Sequence, residues 1–589
     1  MAMSDILRPL KKKLKSSKFA SFDTETFSSD NNFYLVGIMH DNKYECFYDI
    51  DKFYNYIRTR LKGYVIVATN LSFDLTSIFF NSKYWNEFEI LSNSGFMLQA
   101  ENKKLDIVFR DTLNYHKASV KQLGKIINSP KSEAPNFLGQ KPKNPLEEYE
   151  LREYNKQDCF VTLKFMEWFQ NQINSLGGQV KMTLASTSMD IWKRNYNNMI
   201  ICKEDYMLKK HNIEVNIREK LFKAYYGGRT EVLKRGFAED LNYYDFNSLY
   251  PSVMLDTLPL PNSVQYFKNG ALNEILNREG VSHIKISNDT DELPLLPFRQ
   301  DGKLTFPKGV FSGWYSHIEL REAINNGYTI LKVYETISYS LQFSPFHRYV
   351  IDLYSKRKKA KLKNDSSQLI YKLLMNSLYG KFGERKHMKI KYFDLMHMSK
   401  KDIINLQNEH YDKNVSISDS GKGYYTEEET CNSSHVLPII PIYITAKARI
   451  KLWRIARLHD PYYMDTDSIV TKSVLASSKE LGELELEHHI DTGIFIKPKM
   501  YYFKDGNEEV VKLKGVPHVN LDQFKEVLRG ETIKYNKFVK LKEGIRRNLK
   551  INSIIEIEKN INLEDNKRLW LKKFDLILEE SEPLMVVEQ

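Results

Sequence analysis

Residues 462–470 read Tyr-Tyr-Met-Asp-Thr-Asp-Ser-Ile-Val. Apolar runs on both sides of Asp-Thr-Asp-Ser spell two short strands joined by a turn that carries two acids, Asp465 and Asp467. Alone, the segment is an ordinary polar hairpin. Crowded carboxylates repel each other, however, and need solvent or a cation beside them. A second stretch, Tyr244-Asp245-Phe246-Asn247-Ser248-Leu249-Tyr250-Pro251, brings another acid off the end of an apolar strand. Asp245 and Asp467 side by side would hold two Mg²⁺ ions, the arrangement that stabilises in-line displacement at phosphorus.

Between these stretches lies Lys372-Leu373-Leu374-Met375-Asn376-Ser377-Leu378-Tyr379-Gly380-Lys381. On a helix, Lys372, Asn376 and Tyr379 share one face. That face offers an ammonium for phosphates and an aromatic ring for a base or sugar. Lys356, Arg357, Lys358, Lys359, Lys361 and Lys363 precede it, either as a solvated helix face or as contacts for a triphosphate or nucleic-acid backbone. Near the front, Phe22-Asp23-Thr24-Glu25-Thr26 places two acids on one face of a strand end. Asn70-Leu71-Ser72-Phe73-Asp74 follows another strand, and Tyr154-Asn155-Lys156-Gln157-Asp158 sits on a helix with Tyr154 and Asp158 one turn apart. Singly, each is a cap or surface acid; converging, the four would bind two metals and activate a water for phosphodiester hydrolysis, with Tyr154 orienting it.

The 589 residues suggest roughly three or four folding units at about 150 residues each. Hydrophobic residues at 42% and charged residues at 28% exclude disordered and low-complexity classes. The net charge of +12 suits a polyanionic partner. Cys46, Cys159, Cys202 and Cys431 lie far apart without a CxxC pair, so neither a disulfide framework nor a structural zinc is expected. No apolar stretch approaches the roughly 18 residues of a membrane span, and Met1–Lys15 runs apolar-then-basic, the reverse of a secretory signal. These features predict a cytoplasmic protein that is neither secreted nor bound to a membrane.

Along the chain, Lys18–Phe22 and Tyr64–Ala68 read as strands, Tyr34–Met39 and Tyr44–Tyr48 as a hairpin, and Leu146–Phe169 as a long helix. Tyr349–Tyr379 and Ile439–Leu458 are helical, Met388–Leu437 is polar and irregular, and Lys512–Gln589 is basic and then amphipathic.

The trio Asp245–Pro251, Lys372–Gly380 and Tyr463–Ser468 resembles motifs A, B and C of the family B DNA polymerases, in the family's order. The acids at Asp23, Glu25, Asp74 and Asp158, with Tyr154, resemble the motifs of its DEDDy 3′–5′ exonuclease. Tyr225-Tyr226-Gly227-Gly228 resembles the YxGG linker of the protein-primed branch; a helix C-cap with two glycines is the competing reading. The stretch Tyr354–Gly380 looks like polymerases of membrane-containing phages and linear plasmids.

The resemblance implies an α/β multidomain chain: an RNase H-like exonuclease domain (1–190), a linker and palm with motif A (191–260), a terminal-protein-region insertion (261–345), fingers (346–385), a second insertion (386–436), palm with motif C (437–510) and thumb (511–589). It implies two Mg²⁺ per active site, with Mn²⁺ able to substitute, held by Asp245, Asp467 and the Phe246 carbonyl with Asp465 nearby. It implies Tyr250 beneath the incoming sugar, Lys372 with Arg357 or Lys356 on the triphosphate, and Asn376 and Tyr379 at the nascent base pair. Lys499 and Tyr501 would steady the primer end; Lys512, Lys514, Tyr225, Gly227 and Gly228 would contact DNA, as would Arg546 and Arg547. Asn70, Phe73, Thr112 and Leu113 would hold a frayed strand, although His116 stands where the family has an apolar residue. Lys131 is taken as the lysine assisting the exonuclease. The implied partners of a monomeric chain are template-primer DNA, dNTPs, a terminal protein and a single-strand binding protein. Alternatives are a DNA-primed or self-priming polymerase of the same family, and a catalytically silent DNA-binding scaffold.

Overall fold

The computed structural model describes residues 3–28, 32–93, 96–289, 293–409, 415–419, 421–517 and 519–587. In the first unit the Phe19–Thr26 strand is central. It pairs antiparallel with Phe33–His40 and parallel with Val65–Ala68, which pairs parallel with Ile107–Asp111. A parallel pair needs a crossover, and the Leu71–Phe79 helix lies in the one after Val65–Ala68. The Pro145–Ser175 helix packs across the strands. Asn144 starts it by accepting hydrogen bonds from the Leu146 and Glu147 amides, and Pro145 stands where its missing N–H costs nothing.

This sheet does not end with the first unit. Residues 388–437, expected to be irregular, contain the strands Lys386–Asp394, Val415–Ile417 and Lys422–Thr430 and the helix Lys400–Glu409. Lys389 and Ile390 pair with Leu91 and Ile90, so the excursion completes a ten-stranded sheet whose other strands lie between Phe19 and Asp111. The pairing satisfies the open edge of the Glu89–Asn93 strand.

A second sheet is built around Lys234–Phe246, flanked by Ser468–Thr471 and Leu484–Lys497. The helix Ile439–Ala456 is almost wholly buried among its neighbours, and Pro441 is tolerated because it falls in the first turn. Four strands of residues 264–339 form a third sheet, with the helices Leu272–Asn277 and His317–Asn325 against it and an edge strand that comes from the chain's far end. The basic stretch forms two packed helices, His347–Leu362 and Ser367–Ser377, broken at Asn364 in the left-handed region.

The C-terminal unit begins at Leu521–Leu528, and Asn552 joins it to the first unit through bonds to Thr76 Oγ1 (2.8 Å) and Ser77 Oγ (3.0 Å). Residues 564–587 depart from the expected thumb. Glu579–Glu580 pairs with Lys234–Arg235, and Met585–Val587 runs parallel to Lys308–Val310. Ion pairs hold this return in place: Arg235, 1% exposed, meets Glu564 at 3.1 Å and Glu579 at 2.9 Å. Beside it, Arg229 and Glu231 are paired at 2.6 Å and fully buried, with Arg568 at 3.8 Å. Arg229→Met leaves the buried Glu231 with only the more distant Arg568 as a counter-charge, and we expect a loss of about 3–5 kcal/mol. Thermal unfolding of parent and variant checks this; an unchanged melting point would show that Arg568 compensates.

Candidate active sites

The first cluster stands where strand ends meet two helices. Asp23 and Glu25 leave the Phe19–Thr26 strand on one face. Asp74, buried in the Leu71–Phe79 helix, accepts from the Thr24 hydroxyl (2.6 Å) and amide (3.2 Å). The long helix adds Tyr154 and Asp158, and Lys131 pairs with Asp158 at 2.5 Å while lying 4.6 Å above the Tyr154 ring. Sequence reading passed over Asn155. Fully buried, it donates to Asp23 Oδ2 (3.0 Å) and Glu25 Oε1 (3.3 Å) and is itself oriented by the Tyr44 hydroxyl (2.9 Å). A Cβ on Gly37 would come within 1.8 Å of Asn155 Oδ1, so only glycine leaves room for this bridge.

Burial, then the charges of Asp74, Glu25 and Asp158, push Asp23 well above the carboxylate range. Burial likewise pushes Glu25 up to about 7 and Asp74 up to about 8. Asp158 Oδ1 is buried with no hydrogen-bond partner. Four crowded acids and an orphaned carboxylate oxygen fit a site for divalent cations.

Beside this cluster a cavity of about 1030 Å³ is lined by Asn70, Leu113, Lys131 and neighbours. Thr112 does not reach it: the side chain is fully buried and its hydroxyl donates to Thr69 (2.9 Å). Phe73 turns instead to the C-terminal unit, edge-on to Phe538 at 5.9 Å. His116 is half-buried, and the apolar place is filled by its neighbour Tyr115, 2% exposed.

The second cluster lies at the end of the second sheet. Asp245 pairs in register with Ser468, and Thr466 and Asp467 form the two-residue turn beyond it. Thr466 takes a left-handed conformation (φ 65°), unfavourable for a β-branched residue, and is held there by its amide bond to Arg229 O (2.7 Å). The Phe246 amide donates to Asp467 O at 2.8 Å, locking the two turns together. Burial, followed by the charges of Asp467 and Glu487, pushes Asp245 up to about 7. Burial and then the Asp465 and Glu487 charges push Asp467 up to about 6. The charge of Lys372 opposes both shifts. Sequence reading also missed Glu487, the extra residue at a bulge opposite Tyr243 and Tyr244. These carboxylates likewise fit divalent cations.

Asp465 is engaged elsewhere, accepting from Thr230 and Tyr463 (3.0 Å each) and pairing with Lys499 at 3.1 Å. With Lys499, Tyr501, Lys512 and Lys514 it lines a cavity of about 570 Å³. Tyr250 and Tyr379 stack with centroids 5.0 Å apart. Lys372 and Asn376 are exposed on the Ser367–Ser377 helix, and Tyr379 falls in the 3₁₀ turn after it. Lys356 is tied back to Asp352, whereas Arg357 reaches Ser248 Oγ at 3.3 Å, beside Asp245 in sequence. Gly227 and Gly228 are not a left-handed C-cap: neither has a positive φ. A Cβ on Gly228 would meet Thr466 at 2.8 Å and the Tyr250 hydroxyl at 3.0 Å, while the Gly227 carbonyl accepts from Arg449 (2.9 Å). Tyr225 lies against Gly383 after the motif B helix. Arg546 and Arg547 are exposed at a helix end, Arg547 paired with Glu543.

A model of the organellar and viral type B DNA polymerases matches residues 138–469, and the chain belongs to that family. A probable DNA polymerase of Podospora anserina is 30% identical in an alignment 454 positions long that covers 66% of this chain and 36% of the relative. The DNA-directed DNA polymerase of Enterobacteria phage PRD1 is 26% identical over 406 residues, 63% of each chain. The matched part spans between 31% and 39% of the first three curated relatives, all fungal. Phi29 DNA polymerase, solved with primer-template DNA and incoming nucleotides, superimposes with a TM-score of 0.70 at 17% identity, covering 93% of this chain and 100% of its own. That likeness is one of fold, and it bears out the expected exonuclease domain followed by a right-hand polymerase.

Carboxylates with pKa values of about 6–8 hold protons that the unfolded chain has already released. The metal-free fold is therefore destabilised as pH rises from about 4 to 8. We expect Asp23→Asn with Asp74→Asn to melt above the parent in chelator, by a margin that grows across this window and shrinks when Mg²⁺ is added. Thermal unfolding at stepped pH reads this margin, and one that fell with pH would contradict the shifts.

Proposed function

We propose that this chain is a template-directed DNA polymerase with a 3′–5′ proofreading exonuclease, started by a terminal protein and replicating a linear viral or plasmid genome in the cytoplasm of its host. The observation that carries the reading is the junction of Asp245 with Asp467 under the charge of Lys372, with Tyr250 and Tyr379 stacked beside it. Asp245, Asp467 and the Phe246 carbonyl would hold Mg²⁺ or Mn²⁺ there, as Asp23, Glu25, Asp74 and Asp158 would in the second site. When bound, the ions neutralise phosphate charge and lower the pKa of the attacking oxygen.

Around them, Lys372 and Arg357 bind the triphosphate of an incoming dNTP, Tyr250 floors its sugar, and Tyr379 and Asn376 flank the new base pair. Arg357 is preferred to Lys356 because its guanidinium faces Ser248 and is not spent on a neighbouring acid. Lys499 and Tyr501 hold the primer end; Lys512 and Lys514 continue along the duplex backbone, an attraction that weakens with salt. In the exonuclease, Leu113 and Asn70 receive the frayed strand, Tyr154 orients the attacking water, and Lys131 fixes Asp158.

The tests separate the two sites and the mode of priming. Asp467→Ala should reduce synthesis on a primed template to background while single-strand degradation persists; Asp23→Ala with Asp74→Ala should do the reverse. Loss of both activities in both folded variants would refute the division. With labelled dNTP, Mg²⁺ and the candidate terminal protein but no primer, label should become covalently fixed to that protein. Incorporation only on primed DNA would move the chain to the DNA-primed reading.

A further inference from the structure

Glu384, Cys431 and His435 bring a carboxylate oxygen, a thiol sulfur and a ring nitrogen within 4.8 Å of one another, far from both acid clusters in sequence. His435 Nε2 lies 3.0 Å from Glu384 Oε2, and Cys431 Sγ lies 3.7 Å from the same oxygen. Metal bonds of about 2.0–2.3 Å in a tetrahedron give edges of about 3.3–3.8 Å, close to these separations. Cys431 is 1% exposed, and Ser433 Oγ is 3.5 Å from its sulfur. In the metal-free chain Lys381, at 2.9 and 3.0 Å, balances the carboxylate charge.

The placement gives the cluster a mechanical role. Glu384 stands just before the Lys386–Asp394 strand and Cys431 just after Lys422–Thr430, so the donors face each other across the neck of the excursion. The Cys431 amide donates to Arg385 O at 2.9 Å, the last rung of that hairpin. On the far side Arg218 holds Asn432 Oδ1 at 2.6 Å and the Cys431 carbonyl. The absence of a CxxC pair argued against zinc. Here the C-x₃-H pair supplies two donors, and a residue 47 positions before Cys431 supplies the third.

We propose that Glu384, Cys431 and His435 bind a zinc ion, with water completing the tetrahedron, that staples the neck of the excursion 386–430. Thiolate and imidazole favour zinc over the magnesium suited to the two carboxylate sites. The ion joins both chains of the neck, so loop-closure entropy is removed where the excursion leaves and re-enters the polymerase body. At its far end the excursion meets the C-terminal unit, with Asn548 donating to Asp419 at 2.8 Å. The staple therefore fixes the root of a segment whose tip is bonded to the C-terminal unit.

The test uses the full chain, stripped of metal and titrated with Co²⁺ alone. One equivalent should give thiolate-to-cobalt charge-transfer absorption, abolished by an equivalent of Zn²⁺. Cys431→Ser should lose the band. His435→Ala should weaken binding by more than the roughly 10–100-fold that loss of an outer-shell partner costs. Absence of the band in the parent, or its survival in Cys431→Ser, overturns the site. X-ray absorption at the zinc edge on the parent loaded with one equivalent needs no variant. A shell containing sulfur supports the proposal, and one of nitrogen and oxygen alone refutes it.

Discussion

Carboxylates held close together and away from water are the constraint on which the rest of the structure depends. Asp245 and Asp467, like Asp23, Glu25, Asp74 and Asp158, each raise the cost of ionising the others. An unaided chain would swing such groups into solvent. Both clusters are instead built at strand ends, where a sheet fixes the backbone and alternation fixes the face. Each is braced by a neighbour that cannot move. Asn155 spans Asp23 and Glu25, and the strained Thr466 is pinned by the Arg229 carbonyl. Close by, Arg229 and Glu231 are paired out of solvent, and Arg449 clamps Glu319 at 2.6 Å and the Tyr226 and Gly227 carbonyls.

The motifs were legible because the chemistry concentrates acids, a lysine and tyrosines in runs short enough to read, and periodicity placed each run on a strand end or helix face. What connects those runs was not legible. Pairing of Lys389 with Leu91 and of Met585 with Lys308 depends on which strand edges the rest of the fold leaves open. Polarity made 388–437 look irregular because an edge hairpin with one solvated face carries little apolar signal. Lys356 and Arg357 are adjacent, yet a helix turns about 100° between them, and only packing decides which faces Ser248. Asn155 sat inside a motif and read as a spacer. Alternation alone does not distinguish Glu487 from Glu485; the bulge does. Thr112 matched a pattern but lies beneath the surface that the pattern serves.

The helix Leu71–Phe79 shows how the two halves of the molecule are coupled. One side presents Asp74 to Thr24 and the acid cluster. Other positions carry Phe73 against Phe538, and Thr76 and Ser77 against Asn552 of the C-terminal unit. A helix of nine residues moves as one body. The strand that carries Asp23 and Glu25 is held by neighbours on both sides, and the helix stands between it and the C-terminal unit, bonded to each. The seating of the C-terminal unit and the geometry of the first acid cluster are thus one mechanical problem. The bonds that keep the C-terminal unit against the first sheet also keep that acid cluster in register.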